Sequence, residues 1–180
     1  MSYPRSYIAP IGLTLALFSA CSAQAADGTI TFNGEIVAAN CTIPTADTSV
    51  TLPTVSTSAF GAAGTRAGQK AFQLALTCTA GTTGAQKVAV RFTGDDSQVD
   101  PTTGLFLLDA TSTAQNVGIA VYDANDDWVK AANNASTPAV DIVAGSGTTI
   151  IPLTAWYQST AAAVTAGTVN ATGAIEIVYE

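Results

Sequence analysis

Apolar residues recur at every second position in stretch after stretch of this 180-residue chain, and that two-residue period confines it to a β architecture. Phe72, Leu74, Leu76 and Cys78 alternate with smaller or polar partners. Val88, Val90 and Phe92 alternate with Lys87, Ala89 and Arg91, and Val117, Ile119 and Val121 follow the same rule. Successive side chains of a strand point to opposite faces, so each run has one face to bury. Strands are expected over 48–53, 71–78, 87–93, 117–122, 140–143, 148–157 and 168–180, with short apolar runs at 105–108 and 128–130. Residues 58–68 read as a loop or a single helical turn, and 80–86, 94–104 and 160–167 as turns and loops. Beyond residue 25 no segment sustains a helical period. Many short strands separated by turn residues predict an all-β sandwich.

The stretch 27–41 has the same alternation with one anomaly. Gly28, Ile30, Phe32, Gly34, Ile36 and Ala38 share a face, and Thr29, Thr31, Asn33 and Glu35 share the other. Glycine weakens a strand interior, and Gly34 on the apolar face marks a place where another backbone comes close. The expectation is a strand whose buried face lies in another molecule.

The chain begins with a short segment carrying Arg5, an apolar run over 8–20, and the small-x-small triplet Ala23-Gln24-Ala25. These three parts read as a secretory signal peptide over 1–25, with a buried N-terminal helix as the alternative. The apolar run is too short to span a bilayer. Residues 26–180 then suit one domain with a sizeable core. Of the cysteines, Cys21 falls in the leader, where Phe18-Ser19-Ala20-Cys21 forms an imperfect lipoprotein signal. Cys41 and Cys78 remain as an even pair in an exported protein. They are read as a disulfide, with two buried thiols as the alternative. Closing that loop would stabilise the fold by about 4 kcal/mol on the chain-entropy model.

Charge and composition exclude several chemistries. The formal net charge is −7, and an acidic surface without a basic stripe repels phosphate backbones, so no nucleic-acid partner is expected. The chain has no histidine, which rules out serine–histidine and cysteine–histidine nucleophile systems within it. Asp95-Asp96 and Asp126-Asp127 are adjacent carboxylates in turn-like sequence and read as solvated. Asp123 to Asp127 starts like a calcium loop, but Trp128 and Asn134 occupy the positions that need glycine and glutamate. It reads as a hairpin turn. No enzyme activity, cofactor or metal is expected.

Taken in order, several motifs resemble the structural subunits of bacterial chaperone–usher fimbriae, the type 1 and P-like major pilins. They are the alternating stretch that leads to Cys41, Phe72-x-Leu74-x-Leu76-x-Cys78, and Val117-Gly118-Ile119-Ala120-Val121-Tyr122-Asp123. Near the end come Leu153-x-Ala155-x-Tyr157 and Thr165-Ala166-Gly167-x-x-Asn170-Ala171, with Gly167 fourteenth from the end and Tyr179 penultimate. Trp156 departs from the pattern, standing where many of these pilins have a basic residue.

The resemblance implies an incomplete immunoglobulin-like β-sandwich that lacks its last strand, over residues 41–180. Ahead of it, an N-terminal donor-strand extension would span 26–40. A groove beside the C-terminal strand would be filled by the extension of the next subunit, a form of strand addition. Ile30, Phe32, Gly34 and Ile36 would be the donated face. Gly167, Ile175, Ile177, Tyr179 and Glu180 would form the groove edge and meet a periplasmic chaperone. The implied partners are neighbouring fimbrial subunits in a head-to-tail homopolymer, the chaperone and an outer-membrane usher. The implied destination is a cell-surface fimbria that supports adhesion, reached through the periplasm. The alternatives are a minor adaptor subunit of the fimbria and a surface-anchored carbohydrate-binding β-sandwich.

Overall fold

The computed structural model of the chain describes residues 31, 33–34, 40–44, 49–79, 87–143 and 148–180. The expected leader, the extension residues Ile30, Phe32 and Ile36, and the turn at 80–86 lie outside them. The chain divides into the units Met1–Gly34 and Glu35–Glu180, and the second holds all the strands described below.

Seven strands form two antiparallel sheets: β1 (Asn40–Thr42), β2 (Arg66–Thr79), β3 (Lys87–Thr93), β4 (Val117–Tyr122), β5 (Val140–Asp141), β6 (Thr148–Ser159) and β7 (Ala174–Tyr179). The first sheet has the order β1-β2-β6-β4 and the second β5-β3-β7. The long pair β2 and β6 is the spine of the first sheet. Phe72 lies opposite Leu153, Leu74 opposite Ile151 and Leu76 opposite Thr149, so the apolar sets of both strands face the same way. From the second sheet, Val88, Val90 and Phe92 of β3 meet them in one core with Ile119 and Val121 of β4. The two-residue period predicted from sequence is therefore the inner face of a sandwich.

Cys41 and Cys78 stand directly opposite each other on β1 and β2 and are joined by a disulfide. Near the start of β2 the register shifts between Ala67 and Lys70. Gly68 lies in that bulge with φ of 69°, and a Cβ there would come within 2.6 Å of the Tyr157 ring. Both the left-handed backbone and the lack of space call for glycine.

Every residue of β4 is buried. Its inner face belongs to the core. Its outer face, with Ala120 and Tyr122, is covered by Leu105, Trp128 and Trp156 in a second apolar cluster. The turn after β4 is the hairpin expected at 123–127. The buried Asp123 carboxylate accepts hydrogen bonds from the N–H groups of Asn125 (2.7 Å) and Asp127 (3.0 Å).

Several sequence expectations need correction. Residues 49–56 form no strand, although Val50 and Leu52 are half-buried against the core. Their alternation reflects one face on the core and needs no ladder partner. β2 begins at Arg66, inside the expected loop. The runs at 105–108 and 128–130 are reduced to isolated bridge residues, Phe106, which bridges Val99 and Ile119, and Trp128, which bridges Tyr122. The last strand covers only Ala174–Tyr179, because residues 168–170 bond elsewhere. Thr168 C=O accepts from the Thr113 and Ala114 N–H groups, and Asn170 C=O accepts from the Asp109 N–H.

Candidate functional site, an unpaired edge strand

Sheet edges are the natural places for strand addition, and folded proteins usually cover them or keep them short. Three of the four edges here follow that rule. β1 has three residues and β5 has two. β4 is closed from outside: Phe106 and Ile119 exchange N–H···O=C bonds of 2.9 and 3.0 Å, and the Val129 N–H donates to Val121 C=O at 2.9 Å. β7 is the exception. It pairs with β3 along six residues, and among the described residues nothing pairs with its other side.

The register identifies which backbone groups are left over. Glu180 and Lys87 exchange both hydrogen bonds, each 3.0 Å. Bonded and non-bonded pairs alternate in an antiparallel ladder. Val178, Glu176 and Ala174 are therefore the residues bonded to β3, and the N–H and C=O groups of Tyr179, Ile177 and Ile175 point to the open edge. The side chains of these same three residues point into the sandwich. They lie opposite Val88, Val90 and Phe92 on β3. Val88 and Val90 are 0% exposed and Phe92 is 6%, whereas Ile175, Ile177 and Tyr179 are only half-buried. The core is complete at β3 and unfinished one strand further out.

Two anchors hold β7 in place. At its end, the Cys41 N–H donates to the Tyr179 hydroxyl at 2.7 Å, which ties the open strand across the sandwich to the disulfide-bearing β1. At its start, a Cβ on Gly173 would collide with the Phe106 ring, which packs edge-on against Phe92 with centroids 5.8 Å apart. On the solvent face, Arg91 pairs with Glu176 across β3 and β7. That pair is exposed and contributes little.

The expected site residues thus separate. Ile175, Ile177, Tyr179 and Glu180 come together on one strand and its terminus. Gly167 stands apart, packed on the backbone of Thr113 and Ala114, where no Cβ has room. Of the expected donated face only Gly34 is described; it is exposed and outside any strand, and among the described residues beyond its chain neighbours no atom lies within 4 Å of where its Cβ would be. Sequence reading missed Gly173 and Phe106. The available signals were a glycine directly before an alternating run and an aromatic in an apolar run too short for a strand.

On the opposite side of the molecule, the outer face of the first sheet bears an open concavity of about 820 Å³. Arg66 dominates it, bonded to Asp126 (3.1 Å) and lying 4.4 Å over the Tyr122 ring and 5.0 Å over the Trp156 ring. The hydrogen bond to Asp126 holds the guanidinium pKa above its usual value. Among the described residues no group of acidic or sulfur side chains is arranged to hold a metal.

The family model for fimbrial proteins matches residues 30–180 of this chain. The chain belongs to the fimbrial protein family. It is 32% identical over 170 residues to the probable major fimbrial subunit LpfA of Escherichia coli O157:H7, covering 93% of this chain and 92% of that one. It is 38% identical over 168 residues to the major fimbrial subunit SMF-1 of Stenotrophomonas maltophilia, covering 88% and 95%. The fold resembles that of the P pilus rod subunit PapA, with a TM-score of 0.58 at 21% identity over 79% of this chain and 99% of that one. As a member of this family the chain is a structural subunit of a cell-surface fimbria and not an enzyme, and it assembles with other subunits.

Proposed function

We propose that this fimbrial subunit polymerises head-to-tail, its β7 edge accepting a strand donated by residues 26–40 of the next copy. The reading rests on one observation: Ile175, Ile177 and Tyr179 combine outward backbone groups with half-buried apolar side chains. An incoming strand would supply both missing partners at once. Each backbone hydrogen bond formed contributes roughly 0.5–1.5 kcal/mol net. Burying the side chains of Ile30 and Phe32 contributes roughly 1.5–3 kcal/mol each. Val50 and Leu52, half-buried and outside any ladder, are suited to form the facing wall of the groove. Gly34 would pass where the groove is shallow.

Because each copy both gives and receives, the contact is heterologous and builds an open filament. Major rod subunit is the role that fits, by likeness to relatives named as major subunits. An edge this apolar needs cover before assembly. A periplasmic chaperone would supply that cover, and an outer-membrane usher would carry out the exchange. Residues 1–25 would direct export and be removed.

Amide hydrogen exchange tests this reading. The N–H groups of Ile175, Ile177 and Tyr179 should exchange quickly in the unassembled subunit and become protected in filaments, while those of Glu176 and Val178 are protected in both. Deleting residues 26–39 should abolish filaments yet leave the disulfide and the β-sheet circular dichroism intact. Unchanged exchange at all three odd positions, or filaments from the deleted chain, would overturn the proposal.

A further inference from the structure

We infer that Asn33 is a deamidation site that ages the unassembled subunit and is protected once its strand is inserted in a neighbour. The inference rests on the donor-strand reading for its consequence, and on the chemistry of residues 33 and 34 for its mechanism. Asn33 is the one asparagine of the chain followed by glycine. Both residues are exposed and belong to no strand, and among the described residues beyond its chain neighbours no atom lies within 4 Å of where a Gly34 Cβ would be. Among the described residues nothing crowds Gly34, and glycine, with no Cβ, readily adopts the turned backbone that brings its amide nitrogen to the Asn33 side chain.

The reaction balances without an oxidant or a helper group. The Gly34 nitrogen attacks Cγ of Asn33, the Cγ–Nδ2 bond breaks, and ammonia departs with the Gly34 amide proton, leaving a five-membered imide. Water then opens the ring at either carbonyl. Breaking the new N–Cγ bond gives aspartate. Breaking the bond between that nitrogen and the original main-chain carbonyl carbon gives isoaspartate, whose main chain runs on through Cγ. The net change is one water consumed and one ammonia released.

Isoaspartate disables a donor strand through its backbone. Its extra backbone methylene falls between Phe32 and Gly34, so Ile36 loses register with Phe32 and Ile30. Strand pairing tolerates such shifts poorly when one face is buried. Conversely, a strand held extended in a ladder cannot bring the Gly34 nitrogen onto Cγ, so insertion stops the reaction. Subunits that wait too long would drop out of the assembling pool, while finished filaments would not age at this position.

The test compares wild type with Asn33→Gln, whose longer side chain forms the cyclic imide far more slowly, and Asn33→Asp, which carries the charge on an ordinary backbone. Unassembled subunits and filaments are held at neutral pH and sampled for the mass increment of deamidation at residue 33, for isoaspartate by enzymatic methylation, and for filament yield. The expected result has wild type losing yield in proportion to its isoaspartate content, Asn33→Gln retaining yield, fresh Asn33→Asp assembling, and filaments unmodified. The inference is overturned if wild type and Asn33→Gln lose yield in parallel, if isoaspartyl subunits assemble normally, or if residue 33 is modified as fast in filaments as outside them. Filament formation by a chain lacking residues 26–39 is a different failure. It would remove the donor-strand reading, and with it the consequence for assembly, whatever the rate at Asn33.

Discussion

β4 and β7 are the two outer strands of comparable length, each six residues, and they end their sheets in opposite ways. β4 is buried at every position, and loops satisfy its outward backbone groups through Phe106 and Val129. β7 has the same parity, with odd-numbered residues facing outward, but its outward groups meet no described partner and its inward side chains are only half-buried. The composition of the two strands does not account for this, since both are mainly aliphatic with a tyrosine at the end. The difference is whether a described segment covers the edge. On the proposed reading, function in this subunit follows from an edge that no described segment covers, and the cover present on β4 shows that the same chain can close an edge.

Proline substitution at equivalent positions would break that comparison if it is wrong. Proline removes the backbone donor, and it is tolerated in sheets where the lost N–H faced no partner. The Ile119 N–H donates to Phe106 C=O, so Ile119→Pro should lower stability by about 1–3 kcal/mol for the stranded acceptor and lost bond, before counting the lost side chain. Ile177→Pro removes an N–H that bonds nothing on β3. It should lose far less stability than Ile119→Pro while abolishing filament growth onto its own edge. Urea denaturation and filament yield measure the two effects. Equal loss of stability in both variants would show that β7 is not an open edge.

A smaller effect is expected at the anchor of the open strand. Tyr179→Phe keeps the ring and removes the hydroxyl that accepts from the Cys41 N–H. The cost should be roughly 0.5–1.5 kcal/mol. It should appear as faster amide exchange at the end of β7, with Ile119 on β4 unchanged. Equal loosening of both strands would mean that the hydroxyl supports the whole sandwich.

The smallest effect separates the two edges by acid. The loop that covers β4 is shaped by two half-buried aspartates. Thr102 and Thr103 N–H groups hold the Asp100 carboxyl below its usual pKa, and the Thr111 hydroxyl and N–H do the same for Asp109. A carboxylate with a depressed folded-state pKa adds stability that is present above its unfolded value and lost as pH falls through the folded one. Acid below about pH 4 should therefore loosen the cover of β4 slightly, and Asp100→Asn should flatten that dependence. Thermal unfolding between pH 7 and pH 3 measures it. A variant as acid-sensitive as the wild type would remove Asp100 from the account.

Much of the fold was legible from side-chain type alone. Alternation located β3 and β4 at their observed bounds, and it located β6 and the later part of β2 while missing the first five residues of β2, because burying one face is a demand each strand carries in its own residues. The even pair Cys41 and Cys78 was legible for the same local reason, from cysteine count and export. Alternation misled where it had a face to bury but no partner, as at Val50 and Leu52, and where other backbone groups captured part of a run, as at residues 168–170. Of the site, Ile175, Ile177 and Tyr179 could be named because they share a face near the end of a strand-like run. That their edge is open could not be read from them. Side-chain pattern reports the direction perpendicular to a sheet, whereas an edge is open or closed along the hydrogen-bond direction, where residues other than proline present the same N–H and C=O. Only the tertiary structure decides whether another segment reaches those groups; here Phe106 and Val129 reach β4, and nothing described reaches β7.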